Sequence, residues 1–336
     1  MNRAVLQLAV SRASPVHQLD VSNAFLHDHL AEQVFCEQPI GFVDAEHPDF
    51  VCLLSRSLYG LKQAPRPWYQ RIAAFLQSLG FQSTRSDASL FVYHHGADTA
   101  YLLLYIDDII LTASATDLLQ RLIAHLRDEF ALKDLGGLCT TSSVSRWSAR
   151  LTASFYISRS TPTSFWSVSY LTLTRPDLQY AVQQVCLHMH APRDSHWTLV
   201  ERILHYIRGT MSLGLTLTAS ASTDLVAYSD ADWAGCPDTR CSTSGNCVYL
   251  GPSLIPWSSK RQPMVSRSSA EAEYRVVANS VAECSWTRRL LQELLCDVHK
   301  ATLVYCDNVS VVYLSANLVH HRHMKHIELD IHFVRE

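Results

Sequence analysis

Continuous apolar runs along the chain predict its strands, and the most informative run contains two acidic residues. Residues 101–113 (YLLLYIDDIILTA) form an apolar run that is typical of a buried strand pair. Asp107 and Asp108 interrupt it at the centre, so we predict a β-hairpin with its tip at 106–108. A buried carboxylate costs several kcal/mol unless it is paired or holds a cation. The aspartates are therefore either Mg²⁺ ligands or a solvated Asp-Asp turn.

Apolar residues at helical spacing predict helices on both sides of this hairpin. We expect Thr116 and Ser195 to be N-caps and Pro176 to lie in a first turn. The predicted helices cover 68–79 with Gly80 as the stop signal, 116–130, 174–189 and 195–209.

The last third of the chain predicts the order strand, strand, strand, helix, strand, helix and terminal helix. We expect a helix that begins at Ser268 or Ser269 and a further helix at the end of the chain. The strands are predicted at 225–230, 246–250, 254–259 and 302–306.

Carboxylates occur at the ends of these apolar elements. Asp230 and Asp232 lie on the same face of a strand, so the period of two does not choose between them. In the helix, Glu273 lies about 40° from the centre of the apolar face and Glu271 about 120° away. Glu273 is therefore predicted to point toward the sheet, and Glu271 to be a first-turn charge favoured by the helix dipole. Asp307 directly follows the last predicted strand.

Composition indicates globular material. The 336 residues are 48% apolar and 18% charged, and the net charge of −3 offers no whole-chain argument for nucleic-acid binding. Ten cysteines without a regular framework favour reduced thiols and an intracellular protein, cytoplasmic or nuclear. We expect no signal peptide and no membrane span. Ser and Thr make up 13 of the 26 residues in 139–164, which predicts an irregular linker.

Three motifs in order resemble the copia-type family of LTR retrotransposon polyproteins. They are HQLDVSNAFL at 17–26, SLYGLKQAPR at 57–66 and YIDD at 105–108. The resemblance covers roughly 17–136 and 168–336 and implies a partial reverse-transcriptase palm. It further implies that Asp20, Asp107 and Asp108 bind two Mg²⁺ ions for nucleotide transfer. The family also assigns deoxynucleotide selection to Phe25 and contacts with template and nucleotide to Lys62, Gln63 and Arg66.

The end of the chain resembles the ribonuclease H domain of the same family. The resemblance implies a four-carboxylate site for two Mg²⁺ ions, with Mn²⁺ as the alternative, formed by Asp230, Glu273, Asp307 and Asp330. His326 is the expected residue for product release or proton transfer. The bare histidine cluster at 320–326 also fits a different metal site, a basic patch or a solvated surface. Phosphate contacts are expected from Lys260, Arg261, Arg267 and Lys325.

The resemblance sets the expected organisation as an α/β (α+β) chain. The segments are a partial palm at 1–138, an irregular linker or degraded thumb at 139–167, a helical connection at 168–215 and a ribonuclease H-like mixed sheet at 222–336. With few residues before Asp20 and a short linker, we expect fingers and thumb to be missing and polymerase activity to be lost.

The expected activity is Mg²⁺-dependent hydrolysis of RNA in RNA:DNA hybrids. The alternatives are a polymerase completed by another chain, or a catalytically silent remnant that binds nucleic acid or fails to fold. The expected partners are RNA:DNA hybrid, RNA template, DNA and other products of the polyprotein, and no membrane.

Overall fold

The computed structural model divides the chain into two compact units. One unit is Ser14–Gly137, and the other combines Met1–Ala13 with Leu138–Glu336. The structure describes residues 3–27, 29–58, 60–61, 63–137, 172, 174–191, 193–316 and 327–335. The mixed α/β class expected from the sequence is confirmed in both units.

The unit Ser14–Gly137 contains a six-stranded sheet with the order β4-β5-β6-β7-β1-β8 and a two-stranded sheet of β2 and β3. A 3₁₀ turn at Ala24–His27 follows the first strand. The other elements are β1 (Val16–Val21), β2 (His29–Glu37), β3 (Val51–Arg56), α2 (Pro65–Ser78), β4 (Phe81–Ser83), β5 (Leu90–His95), β6 (Asp98–Tyr105), β7 (Asp108–Ala113), α3 (Thr116–Glu129) and β8 (Leu132–Gly137), with α1 (Arg3–Ser11) preceding them in the chain.

The predicted hairpin at the centre of this sheet is confirmed. Tyr105 pairs with Asp108 across β6 and β7, so the connecting turn consists of Ile106 and Asp107. Ile106 has φ +59°, a left-handed conformation that is unfavourable for a β-branched residue. The apolar strands on either side hold the turn in this conformation because Leu102, Ile109 and their neighbours are fully buried.

The turn is further fastened from α2. The indole Nε1 of Trp68 donates a 2.6 Å hydrogen bond to the carbonyl oxygen of Ile106. The Trp68 ring is buried and packs edge-on against Phe130, with ring centroids 5.4 Å apart. A helix side chain therefore ties the acidic turn to the core of the unit.

The second unit contains a four-stranded sheet with the order β11-β10-β9-β12. A 3₁₀ turn at Pro176–Leu178 directly precedes the helix Gln179–Cys186. The elements are α4 (Gln179–Cys186), α5 (Asp194–Gly209), β9 (Leu225–Ala231), β10 (Thr243–Leu250), β11 (Ser253–Arg261), α6 (Ser269–Glu293), β12 (Leu303–Cys306), α7 (Val309–Ala316) and α8 (Glu328–Arg335).

Strand pairing in this sheet is mixed, as predicted. The strands β9, β10 and β11 are joined as antiparallel neighbours, whereas β12 lies parallel to β9. The 25-residue helix α6 packs against this sheet and buries residues such as Tyr274 and Val277. Its N-cap is Ser268, whose hydroxyl accepts a hydrogen bond from the Glu271 amide at 3.2 Å, so one of the two predicted caps is confirmed.

Helix α1 was not predicted from the sequence and belongs to this second unit. Its Arg3 guanidinium lies 3.4 Å from the ring centroid of Trp257 and donates to the carbonyl oxygen of Ile255 at 2.7 Å. Gln7 donates to the carbonyl oxygen of Thr218 at 2.9 Å. The sequence placed residues 1–138 in one domain, whereas residues 1–13 group with the residues after 137.

Two predicted helix caps were wrong. Ala115 is the N-cap of α3 because its backbone is extended and Thr116 is already helical. Helix α5 begins at Asp194. Its N-cap is Arg193, two residues before the predicted cap Ser195. The imidazole of His196 accepts from the Arg193 amide at 3.2 Å and satisfies a backbone donor there. The predicted helix at 174–189 is a 3₁₀ turn followed by α4.

We predict that Trp68→Phe loosens the acidic turn. The substitution keeps an aromatic ring and removes the donor to Ile106, so the free energy of unfolding should fall by roughly 1–2 kcal/mol. Urea unfolding followed by circular dichroism measures the change, and hydrogen exchange at residues 105–109 localises it. Tyr69→Phe is the matched control because the Tyr69 hydroxyl donates to the Ala88 carbonyl oxygen at an exposed site. An equal loss in both variants would contradict the prediction.

Candidate functional site

The first group of predicted site residues lies at one end of the central sheet. Asp20 in β1 pairs directly with Asp108 in β7, and the amide of Val21 donates to the carbonyl oxygen of Asp107 at 2.9 Å. Gln18 Nε2 donates to Asp108 Oδ1 at 3.2 Å. The antiparallel register therefore brings three half-buried carboxylates from distant parts of the sequence to neighbouring positions.

Phe25 lies on the 3₁₀ turn that follows β1. Its ring is 6% exposed and belongs to the core cluster that includes Leu19 and Val21. Packing therefore fixes the ring on the turn that follows the strand of Asp20. Its role in nucleotide selection stays a prediction.

The predicted substrate loop leads into α2. Gly60 has φ +97°, which only glycine adopts without strain, and Pro65 is the first residue of the helix. Gln63 is half-buried, and its backbone carbonyl oxygen accepts a 3.2 Å hydrogen bond from the Arg66 amide. The Arg66 side chain is exposed. Lys62 lies outside the described residues.

The second group of site residues forms where β9 and β12 end side by side. The parallel register pairs Ser229 with Cys306, so Asp230 and Asp307 are the next residues on neighbouring strands. Glu273 reaches this end of the sheet from α6. Among the described residues, Glu273, Cys306 and Asp307 are the one group of three potential metal ligands whose ligand atoms all lie within 4.8 Å of one another.

The Glu273 carboxylate is the buried member of this group. Its side chain is 5% exposed, Oε1 accepts from the Ala231 amide at 3.1 Å, and Oε2 lies 3.9 Å from the Sγ of Cys306. Burial raises the pKa of Glu273, and the negative charges of Asp230 and Asp307 raise it further, against the lowering effect of the Ala231 amide. The sequence prediction that Glu273 points toward the sheet is confirmed.

The structure also distinguishes Asp230 from Asp232. Asp232 Oδ1 accepts a hydrogen bond from the Thr243 amide at 2.5 Å, and the Asp232 amide donates to the Thr243 carbonyl oxygen at 3.2 Å. Asp232 therefore joins the end of β9 to the start of β10 through two hydrogen bonds with Thr243. The charge of Asp230 acts on Glu273 instead, which favours Asp230 as the member of the carboxylate group.

Glu271 has a structural environment that the helical period did not predict. Its carboxylate is 1% exposed, although a first-turn charge is usually solvated. Oε1 accepts from Arg275 Nη2 at 2.7 Å, and Oε2 accepts from the Arg267 amide at 2.8 Å. The i,i+4 spacing of Glu271 and Arg275 is the signal from which the sequence could have predicted this ion pair.

Asp330 lies on α8 and interacts with the same ion pair. Burial raises the pKa of Asp330, Arg275 lowers it, and the negative charge of Glu271 raises it. Asp330 is not a member of the group formed by Glu273, Cys306 and Asp307. The structure therefore brings Glu273 and Asp307 together, places Asp230 on the neighbouring strand where its charge acts on Glu273, and places Asp330 near Arg275.

The predicted phosphate-binding cations lie at two places in this unit. Lys260 and Arg261 end β11, and Arg261 pairs across the hairpin with Thr243. Arg267 is exposed immediately before α6. Lys325 and His326 lie outside the described residues.

Each unit thus presents acidic side chains at the end of a sheet within a mixed α/β fold. A family model described as "Reverse transcriptase (RNA-dependent DNA polymerase)" matches residues 2–144. The chain belongs to the family of copia-type retrovirus-related Pol polyproteins of transposons.

Relatives align along nearly the whole chain. It is 42% identical over 99% of its length to the retrovirus-related Pol polyprotein from transposon RE2 of Arabidopsis thaliana and 34% identical over 99% to that from transposon TNT 1-94 of Nicotiana tabacum. The chain spans 26% and 29% of these two relatives. It is also 40% identical to the uncharacterized mitochondrial protein AtMg00810 of Arabidopsis thaliana, over 56% of this chain and 94% of that protein.

Within the described residues, no helix is both long enough and apolar enough to cross a bilayer.

We predict that Glu273→Gln stabilises the protein near neutral pH. The raised pKa means that the folded state binds more protons than the unfolded chain between the ordinary and the raised value, so stability falls as pH rises through that window. Glutamine cannot ionise, so its advantage in melting temperature should be largest above the window and vanish below the ordinary glutamate pKa. Calorimetry across this range in metal-free buffer measures the effect.

Glu271→Gln is the matched control on the same helix. It removes the ionised carboxylate that pairs with the half-buried Arg275 at 2.7 Å, so it should lower the melting temperature near neutral pH. A fall in melting temperature for Glu273→Gln at every pH would contradict the prediction.

Proposed function

We propose that this chain hydrolyses the RNA strand of RNA:DNA hybrids with a divalent cation, Mg²⁺ or Mn²⁺, at the site of Asp230, Glu273 and Asp307. The observation that supports this proposal most strongly is the convergence of Glu273 and Asp307 within 4.8 Å at the ends of parallel strands, next to Asp230. The membership of the Pol polyprotein family supports a nucleic-acid substrate.

The residues at this site fit a hard divalent cation. Carboxylate oxygens are the ligands that Mg²⁺ prefers. Burial, and then the charges of Asp230 and Asp307, raise the pKa of Glu273, and a bound cation would favour its ionised form. When bound, a pair of cations activates a water and stabilises the departing 3′-oxygen. Asp330, from α8, is proposed as the fourth carboxylate.

The other residues of the site hold and orient these carboxylates. The Ala231 amide fixes one oxygen of Glu273, while Asp230 and Asp307 are exposed and accessible to solvent. We propose that Lys260, Arg261, Arg267 and Lys325 contact backbone phosphates and that His326 acts in product release or proton transfer. The ribose 2′-hydroxyl distinguishes the RNA strand from DNA.

A second candidate function is RNA-directed DNA synthesis at Asp20, Asp107 and Asp108. The observation that favours it is the direct pairing of Asp20 with Asp108 beside the turn that contains Asp107. We propose that Phe25, Lys62, Gln63 and Arg66 serve template and nucleotide, with Mg²⁺ at the carboxylates. Other polyprotein products are the proposed source of the parts that would grip substrate, and without them we propose that synthesis is weak or absent.

We predict that Asp307→Asn abolishes cleavage of a labelled RNA:DNA hybrid in Mg²⁺. Loss of one carboxylate from the cluster should reduce kcat by roughly 100-fold or more, because the site would hold its cations poorly. The measurement is the rate of RNA-strand shortening under multiple-turnover conditions, with a DNA:DNA duplex as the substrate that should stay intact.

Asp297→Asn is the matched control because it changes an exposed aspartate elsewhere in the same unit. It should cleave at the rate of the unsubstituted chain. Equal rates for Asp307→Asn and Asp297→Asn would remove the nuclease proposal. Hybrid binding without cleavage by the unsubstituted chain would identify a silent nucleic-acid-binding protein instead.

We predict that primer extension on an RNA template is weak or absent with the chain alone. If the second candidate function holds, adding a longer product of the same polyprotein should increase extension, and Asp107→Asn in this chain should abolish that increase. Gel analysis of extended primers with each chain alone and in mixture measures it. Extension that Asp107→Asn does not alter would rule out synthesis at this site.

A further inference from the structure

Two cysteines flank the loop that connects β9 with β10 in the second unit. The Cys236 amide donates to the carbonyl oxygen of Cys241 at 3.2 Å, and the Arg240 amide donates back to the Cys236 carbonyl oxygen at 2.8 Å. Arg240 has φ +56°, the left-handed conformation that closes such a loop. One direct backbone hydrogen bond therefore joins the two cysteines across the turn 237–240.

This backbone arrangement is compatible with a disulfide. Residues joined by a backbone hydrogen bond of 3.2 Å across a turn have Cα atoms roughly 5–6 Å apart. A disulfide spans Cα separations of about 4.4–6.8 Å. Both side chains are partly exposed, so an oxidant in solution can reach them.

The surroundings of Cys236 favour its thiolate form. Arg261 Nη1 lies 3.5 Å from the Cys236 Sγ. Hydrogen bonds from the Thr239 side chain and backbone, and then from Arg261, lower the pKa of Cys236 to about 7. A thiolate at neutral pH is the nucleophilic form of cysteine.

Four other cysteines have a pKa shifted in the opposite direction. Burial raises the pKa of Cys247, Cys284, Cys296 and Cys306. Cys241 lines an open groove of about 540 Å³ together with Thr239, Lys260 and Arg261, so the second thiol is reachable from the same side as this cationic pair.

We propose that Cys236 and Cys241 form a peroxide-oxidisable dithiol, a modification site separate from the carboxylate group. The Cys236 thiolate attacks a hydroperoxide, forms an S–O bond and breaks the O–O bond, which leaves a sulfenic acid and an alcohol or water. Cys241 then attacks this sulfur, an S–S bond forms, and the displaced hydroxyl leaves as water with the thiol proton. In sum, two thiols lose two electrons to one hydroperoxide.

The disulfide changes the charge around Arg261. The thiolate that faces this guanidinium is replaced by a neutral sulfur, so Arg261 loses its anionic neighbour. Arg261 is also one of the proposed phosphate-binding residues, and oxidation therefore occurs directly beside that surface.

The sequence allows a direct test with trypsin. Cleavage after Arg208, Arg240 and Lys260 yields peptides 209–240 and 241–260, which hold Cys236 and Cys241 separately. The full chain is treated with hydrogen peroxide, its free thiols are blocked under acid, and the digest is analysed by mass spectrometry without reductant. We expect 209–240 and 241–260 to appear as one disulfide-linked pair that reductant separates.

Serine variants identify the second cysteine, because 241–260 also contains Cys247. Cys241→Ser should abolish the link and leave Cys236 further oxidised to the sulfinic acid, whereas Cys247→Ser should leave the link intact. Cys36 and Cys52, which face each other across β2 and β3, lie together in one tryptic peptide and do not interfere.

Arg261→Gln tests the role of the cation. Removing the guanidinium should reduce the thiolate fraction of Cys236 and slow its oxidation by up to about twofold at neutral pH, because Thr239 lowers the pKa of Cys236 more than Arg261 does. The proposal is overturned if the two peptides stay unlinked, if the link survives Cys241→Ser, or if it forms only between two copies of the chain on a non-reducing gel. An unchanged oxidation rate in Arg261→Gln would overturn the assigned role of Arg261.

Discussion

Burial of the Glu273 carboxylate at the ends of adjacent strands, beside further acidic side chains, is the constraint on which the candidate site of the second unit depends. Asp230 and Asp307 are brought together by the parallel pairing of β9 and β12, and Glu273 joins them from α6. The raised pKa of Glu273 reflects the cost of this arrangement. Backbone amides and a divalent cation are the physical means of offsetting that cost, which is why the fold and the proposed chemistry are connected.

Helix α6 contains a second buried carboxylate, whose partners differ from those of Glu273. Glu271 is fully buried, yet Arg275 and the Arg267 amide satisfy it, so this ion pair is part of the structural support of α6. Asp330 interacts with this pair as well. Two glutamates separated by one residue therefore have separate roles, because one has a cationic partner and the other faces further carboxylates.

The unit Ser14–Gly137 brings acidic residues together through strand register alone. Asp20 is almost ninety positions from Asp108 in the chain, and the pairing of β1 with β7 makes them neighbours. The left-handed turn at Ile106 and its hydrogen bond from Trp68 hold the remaining aspartate at the same end. The hydrogen bonds from Trp68 to the Ile106 carbonyl and from Val21 to the Asp107 carbonyl hold this turn from two sides.

Sequence pattern was sufficient for the hairpin at 101–113, for a helix cap at Ser268 or Ser269 and for the inward orientation of Glu273, because each follows from local periodicity or from a neighbouring residue. The mixed sheet was expected from the resemblance to the ribonuclease H domain. Pattern could not place α1 on the second unit, since that depends on the contacts of Arg3 with Trp257 and Ile255, more than 250 residues away. It also could not choose Asp230 over Asp232, because both lie on one face of the strand. Only the tertiary structure decided these points, since the β9–β10 connection occupies Asp232 and the β12 register gives Asp230 its acidic neighbours.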